Sequence, residues 1–249
     1  IPIGIYIRDA YPLFGLTPVR NPKEWLLNKG WYISQWAYQR FADILFFPTQ
    51  SLAVCFDFHT KVLLPPAART GLVSEVFSGS FDTLLYAGHL SEENGWPLLK
   101  AAMEIIHEKN PQIRLLALTP TQIEECPPWL ELRRGVLDDI LGDLPRIAAA
   151  LIPRPKTIYN DLAIPVKLMD YLSLGLPIVA TDCKEMAQLI FQNEFGFVSQ
   201  GKEVEFADLC LKMFFDIDIR NNMSNNIVKS LLYDNNWLKR SLVLIEKLL

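Results

Sequence analysis

The chain has 249 residues, 50% apolar and 21% charged, with a net charge of −4. That composition gives one large or two modest domains with ample core, and the acidic balance speaks against a nucleic-acid binder, which needs clustered Lys and Arg. No apolar run reaches the length of a membrane span, no signal-type leader opens the chain, and the scattered Cys55, Cys126, Cys183 and Cys210 fit reduced thiols of a cytoplasmic protein.

In chain order, short apolar strands alternate with amphipathic helices, the pattern of a parallel sheet covered on both faces. "IGIYI" (3–7) is the first strand, and the chain enters it almost at once. A segment upstream, or another chain, is expected to complete the sheet that this strand belongs to. A long helix covers 22–42, opening with Asn21 and Pro22 as cap and first-turn residues. Its Trp25, Trp31 and Trp36 read as core at their helical spacing, with a membrane surface as the alternative. "ILFFP" (44–48) is a strand, Ser51 starts a short helix, and "KVLLPP" (61–66) is a further strand. The Pro-, Gly-, Ala- and Ser-rich stretch 65–80 is the best linker.

A more complete unit follows. Strands are expected at 83–88, 113–118, 130–134, 147–153, 177–182 and 196–198. Helices fall at 96–109, 137–144, after Pro165, and at 184–192, with more helix beyond. Leu98, Ala102, Ile105 and Ile106 form the apolar stripe of the 96–109 helix. The terminal helix 237–249 has apolar residues at 238, 242, 245 and 249.

In open parallel sheets, ligands sit outside the carboxyl ends of the strands. Three segments put polar residues there. In "YAGHLSEENGW" (86–96) a strand ends at Gly88 and a helix starts after Gly95. Such a turn either lets backbone N–H groups approach an anion or is an ordinary strand–helix connection. In "NDLAIPVKLMDYLSLGLPIVATD" (160–182), Pro165 opens a short helix that buries Leu168, Met169 and Leu172. Lys167 and Asp170 share its other face. They form either a surface ion pair of little worth, or a phosphate-meeting cation beside a ribose-binding carboxylate. In "YIRDAYP" (6–12), Arg8 and Asp9 either face a cleft or cap a turn. Of the three histidines, His107 reads as solvated and His59 shows no partner, so only His89 falls in a candidate site.

Taken together these segments resemble the family 4 (group 1) glycosyltransferases of GT-B architecture. "LLYAGHLSEENGWPLLKAAMEII" is similar to that family's strand–"GRLSxEKG"–helix segment, and "PVKLMDYLSLGLPIVATD" to its "PxKxxEYxAxGxPVVAxD". "YIRDAYP" and "WAYQRFADILFFPTQS" resemble the last strands and helix of the N-terminal domain. The resemblance implies an α/β fold with a remnant of the N-terminal, acceptor-side domain at 1–70. A Rossmann-like nucleotide-sugar-binding domain would span 71–236, and the terminal helix 237–249 would return to the first domain.

It further implies a retaining transfer from a nucleotide-diphosphate sugar, with no cofactor and no metal. Gly88, His89, Asn94, Gly95, Arg154, Asn160, Asp161, Pro165, Lys167 and Asp170 would line the donor site. Asp9 and Lys167 are the catalytic candidates, and Asp170 stands at the second acid of the family's paired-acid signature. The chain departs from the family in carrying His89 and Asn94 at its phosphate-gripping Arg and Lys, and Leu162 at its first acid. Arg154, Lys167 and a protonated His89 are the available substitutes. Arg8 replaces the usual His of the first domain. The rival expectation is a non-catalytic glycosyltransferase-like subunit that binds a nucleotide sugar or completes a partner chain. A GT-B epimerase is a third, and peripheral contact with the inner membrane face stays open.

Overall fold

The computed structural model describes residues 2–72 and 80–249. Residues 73–79, within the expected linker, lie outside the described residues. A small sheet comes first, of strands β1 (Gly4–Tyr6), β2 (Ile44–Phe47) and β3 (Lys61–Leu63), all parallel in the order β1-β2-β3. Helix α1 (Pro22–Phe41) joins β1 to β2, started by the Asn21 side chain, which accepts the Glu24 N–H at 2.9 Å. The short α2 (Gln50–Val54) is capped in the same way by Thr49. Side chains alternate across β2. Leu45 and Phe47 pack with Ile7, Leu52 and Phe56 on one face, while Ile44 and Phe46 meet Val243, Leu244 and Leu248 on the other.

The second sheet has β4 (Thr83–Ala87), β5 (Arg114–Leu118), β6 (Leu130–Arg133), β7 (Ile147–Ile152), β8 (Ile178–Thr181) and β9 (Gly196–Ser199). Their order is β6-β5-β4-β7-β8-β9, every pair parallel. The order reverses between β4 and β7, so the crevice of this doubly wound sheet opens beyond the carboxyl ends of those two strands. Both faces are buried, which is why the strands read as continuous apolar runs. Leu85, Leu116, Ala150 and Ile178 face one core with α4 (Val166–Ser173), α5 (Lys184–Gln192) and α7 (Ile217–Tyr233). Leu84, Leu115, Ala149 and Val179 face the other, with α3 (Trp96–Lys109) and α6 (Glu203–Phe215).

The chain crosses between the two units twice, and the crossings are clipped together. Ala68 N–H donates to the Asn235 carbonyl at 3.0 Å, and Arg240 Nε to the Pro65 carbonyl at 2.9 Å. The second crossing feeds α8 (Trp237–Leu248), which lies on the small sheet.

Four expectations are corrected by the packing. Helix α1 fully buries none of its residues; Trp31 is half-buried against the core of the first unit beside Phe56, but Trp25 and Trp36 are 52% and 63% exposed and are not core. The three-stranded sheet beneath is too narrow to cover a twenty-residue helix. On α8 the stripe Leu238, Leu242, Ile245 and Leu249 faces solvent, and Val243, Leu244 and Leu248 carry the packing. The buried line of α3 is Leu99, Ala102, Met103 and Ile106, with Leu98 and Ile105 only half-buried at its margin. His107 is partly buried, and its Nδ1 has no partner among the described residues. Among the described residues no helix is long and apolar enough to cross a membrane.

Candidate functional site

Strand β4 ends at Gly88, whose φ of 133° is open to glycine. A side chain there would meet Lys167 Nζ at 3.0 Å, so the lysine from α4 lies across this turn. Gly95 has φ 83°, and a Cβ at that position would sit 1.6 Å from the Pro153 carbonyl oxygen at the end of β7. The loop thus closes tightly over the crevice. It is pinned at several points. Ala87 N–H donates to the buried Tyr171 hydroxyl at 2.7 Å, Tyr86 Oη to the His89 carbonyl at 2.8 Å, and Leu90 N–H to Thr121 Oγ1 at 3.1 Å.

This pinning changes what the loop offers an anion. The N–H groups of Gly88, Asn94, Gly95 and Trp96 are all taken by backbone carbonyls. Asn94 spends its side-chain amide on Ser91 Oγ, and His89 is exposed at the rim. The positive charge comes from elsewhere.

Helix α4 supplies it. Pro165 sets the extended residue before the helix, and Gly175 at φ 69° ends it. Lys167 lies 4.6 Å from the centre of the Tyr86 ring and forms no ion pair among the described residues. Burial, and then the neighbouring Arg154, pull its ammonium from 10.5 down to about 8. Burial likewise pushes the Tyr86 hydroxyl up to about 12. Arg154 follows β7, has no ion pair among the described residues, and acts electrostatically on both Lys167 and Tyr86, so its charge adds to that of the lysine at the point where the strand order reverses. One turn after Lys167, Asp170 is half-buried and has no hydrogen-bond or ion-pair partner among the described residues. Burial raises its carboxyl above the usual range; Arg69 opposes that shift and Asp138 adds to it.

Other expected site residues are occupied structurally. Asn160 is buried and donates to the Pro155 carbonyl at 2.8 Å. Asp161 accepts the Lys184 N–H at 2.9 Å, capping α5. Asp9 is held by Arg8 at 2.6 Å and by the Tyr159 hydroxyl at 3.1 Å. Tyr11 stacks on Tyr159 with ring centres 4.5 Å apart, joining the two units. Leu162 packs into the core of the first unit, and its carbonyl accepts from Thr49 Oγ1. Leu162 is therefore apolar because it serves that interface. Sequence reasoning missed Tyr86, Tyr171 and Tyr159. The first two lie in strand and helix patterns that read as core; only a polar atom at an otherwise apolar position marked them.

Beside the loop a cleft of about 410 Å³ is lined by Thr119, Thr121, Gln122 and Arg134 beyond the ends of β5 and β6. A larger groove, about 760 Å³, lies at the opposite end of the sheet, between α5, β9 and α7.

No family model matches the sequence. An uncharacterized glycosyltransferase of Methanocaldococcus jannaschii, MJ1059, is 23% identical over 273 residues, covering 88% of this chain and 66% of that protein. Among solved structures, TarM superposes with a TM-score of 0.70 at 10% identity over 89% of this chain and 45% of its own. Pneumococcal GtfA, an O-GlcNAc transferase solved with UDP and GlcNAc, gives 0.65 at 14% over 88% and 47%. WaaG, a glycosyltransferase involved in lipopolysaccharide biosynthesis, gives 0.59 at 13% over 80% and 61%. The fold is that of the GT-B glycosyltransferases, and the chain is glycosyltransferase-like in sequence and structure. It spans just under two thirds of its curated relative and about half of TarM.

Proposed function

We propose that this chain carries the donor side of a retaining glycosyltransferase of the family 4 type. A sugar is transferred from a nucleotide-diphosphate sugar to an acceptor. One observation carries the reading: Lys167, lying across the Gly88 turn, and Arg154, following β7, have no carboxylate partner among the described residues, and Asp170, one helical turn further along α4, likewise has none among them. In this reading the diphosphate lies on the two cations, the ribose hydroxyls donate to Asp170, and the base enters the cleft beside Thr121. Lys167 and Arg154 stabilise the charge that gathers on the departing nucleoside diphosphate. Loss of one such group costs about 10²–10³ in rate. The cations take over the work of the family's Arg and Lys, whose positions here hold His89 and Asn94.

The test is calorimetric titration with UDP-, GDP- and ADP-sugars, followed by detection of the released nucleoside diphosphate. Saturable binding of one base class supports the reading, and no binding by the folded protein ends it.

A second reading rests on α1, which exposes Trp25, Leu26, Ile33 and Trp36 in one helix with no buried residue. Such a surface calls for a covering element, from the same polypeptide or from a partner chain. The chain would then act as a subunit that binds the nucleotide sugar, whether or not it turns it over. A related structure is described as a GtfA/B complex. Light scattering at micromolar concentration, with and without candidate partners, separates a lone chain from a subunit.

A further inference from the structure

Lys167 reaches the mouth of the crevice by crossing the end of a strand. Helix α4, which carries it, packs on one face of the second sheet through Leu168 and Leu172, whereas the Tyr86 ring points into the core on the other face. The lysine nonetheless sets its ammonium 4.6 Å from the centre of that ring. The crossing runs over Gly88, where a side-chain carbon would stand 3.0 Å from Lys167 Nζ and 3.5 Å from the Tyr86 hydroxyl. The ring beneath is a fixed platform, 1% exposed and set in a core with Leu84, Leu90 and Leu99. Its hydroxyl donates to the His89 carbonyl at 2.8 Å, so that group ties down the loop and leaves the ring face to the lysine. A ring face attracts an ammonium without neutralising it. A carboxylate would also hold the lysine but cancel its charge, and Lys167 has no such partner among the described residues.

We propose that Tyr86 is a positioning residue for the phosphate-binding lysine: its ring, held by the surrounding core, keeps the Lys167 ammonium over the Gly88 turn with its charge free for a phosphate. This rests on the donor-site reading above and names the side chain that prepares that site. A lysine that swings freely gives up its side-chain motion when it grips an anion, and one already parked on a ring has surrendered most of that freedom beforehand. The platform therefore favours every ligand that carries a diphosphate and is indifferent to base and sugar.

The test reads the electrostatics of the ring on the intact chain. Calorimetry with inorganic pyrophosphate, UDP, GDP and ADP compares the parent with Tyr86→Phe and with fluorinated phenylalanines placed at the same position. Fluorine keeps the shape of the ring while draining its negative face. Tyr86→Phe gives up only the tie to the loop at the rim, so affinity for all four ligands holds within about twofold. The most fluorinated ring weakens pyrophosphate and the preferred nucleoside diphosphate alike, by about fivefold, and lighter fluorination falls between. Proton NMR of the parent gives a second reading that needs no variant at position 86. The ε-protons of Lys167, assigned by their loss in Lys167→Met, lie upfield of ordinary lysines because the ring shields them. Affinity that ignores fluorination makes Tyr86 a packing residue and overturns the proposal. Affinity that rises with fluorination does so too, since the lysine would then have to leave the ring to meet its ligand. A loss already complete in Tyr86→Phe, or ordinary ε-proton shifts, overturns it as well. In each of these cases the donor-site reading stands while the parent binds a nucleoside diphosphate. A parent chain that binds neither pyrophosphate nor any of the nucleotides removes that reading, and this inference with it.

Discussion

Replacing Lys167 by Met separates the function of the site from the stability of the fold. The ammonium is held in a largely buried position over Tyr86 with no carboxylate partner among the described residues, and burial pulls it from 10.5 down to about 8. That fall corresponds to about 3 kcal/mol of unfavourable charge burial in the folded state at neutral pH. Methionine removes the charge and keeps a sulfur near the ring, and the lost cation–π attraction takes back about 1 kcal/mol. The variant should therefore be more stable than the parent by about 2 kcal/mol at pH 7. For a chain of this size that raises the melting temperature by about 4–8 °C.

The pH dependence has a definite sign. A lysine whose folded pKa is depressed is a burden below about 8, and the burden lifts as pH rises toward its unfolded value of 10.5. The stability gap between variant and parent should close across that window. Calorimetric melts at pH 7, 8.5 and 10 measure it, alongside nucleotide titrations in which the variant loses most of its affinity. A variant that melts lower than the parent at pH 7, or a gap that ignores pH, would refute the picture of a desolvated, unpartnered cation.

Asp170→Asn should weaken nucleoside diphosphate binding by about 10–100-fold while leaving pyrophosphate untouched, read by calorimetry, because hydrogen bonds to a charged acceptor are the stronger kind. Gly95→Ala places a methyl 1.6 Å from the Pro153 carbonyl oxygen and should cost on the order of 3 kcal/mol or more in denaturant melts. Gly88→Ala meets Lys167 Nζ at 3.0 Å and the Tyr86 hydroxyl at 3.5 Å and forces a side chain onto a backbone at φ 133°, so it should cost about 1–3 kcal/mol in melts and reduce donor binding. Leu162→Glu, which places an acid where the glycosyltransferases it resembles carry one, should lower stability by about 2 kcal/mol or more and raise no activity, because the side chain packs against the core of the first unit.

Much of the architecture could be read from the residues, and the reasons are local. Strands such as "IAAALI" and "PIVATD" are buried on both faces, so their unbroken apolar runs mark a covered parallel sheet. Asn21–Pro22 and the Gly-Leu-Pro after α4 mark helix ends by their own backbone chemistry. The face a helix buries was less legible where the partner surface is small. The apolar residues of α1 and α8 are spread around the helix, and only the narrow sheet beneath decides which of them pack. Within the site, Lys167 and Asp170 stood out by their spacing beside a proline. The prior commitments of the loop amides, Asn94, Asp161 and Asp9 did not, because each partner is remote in sequence or fixed by the exact turn.

A crystal of this protein grown or soaked with the nucleoside diphosphate that it binds best gives the most direct test. The account predicts density with the phosphates on Lys167 and Arg154 and the ribose hydroxyls within hydrogen-bond reach of Asp170. Phosphates bound instead at the rim by His89, or a ribose directed away from α4, would contradict it.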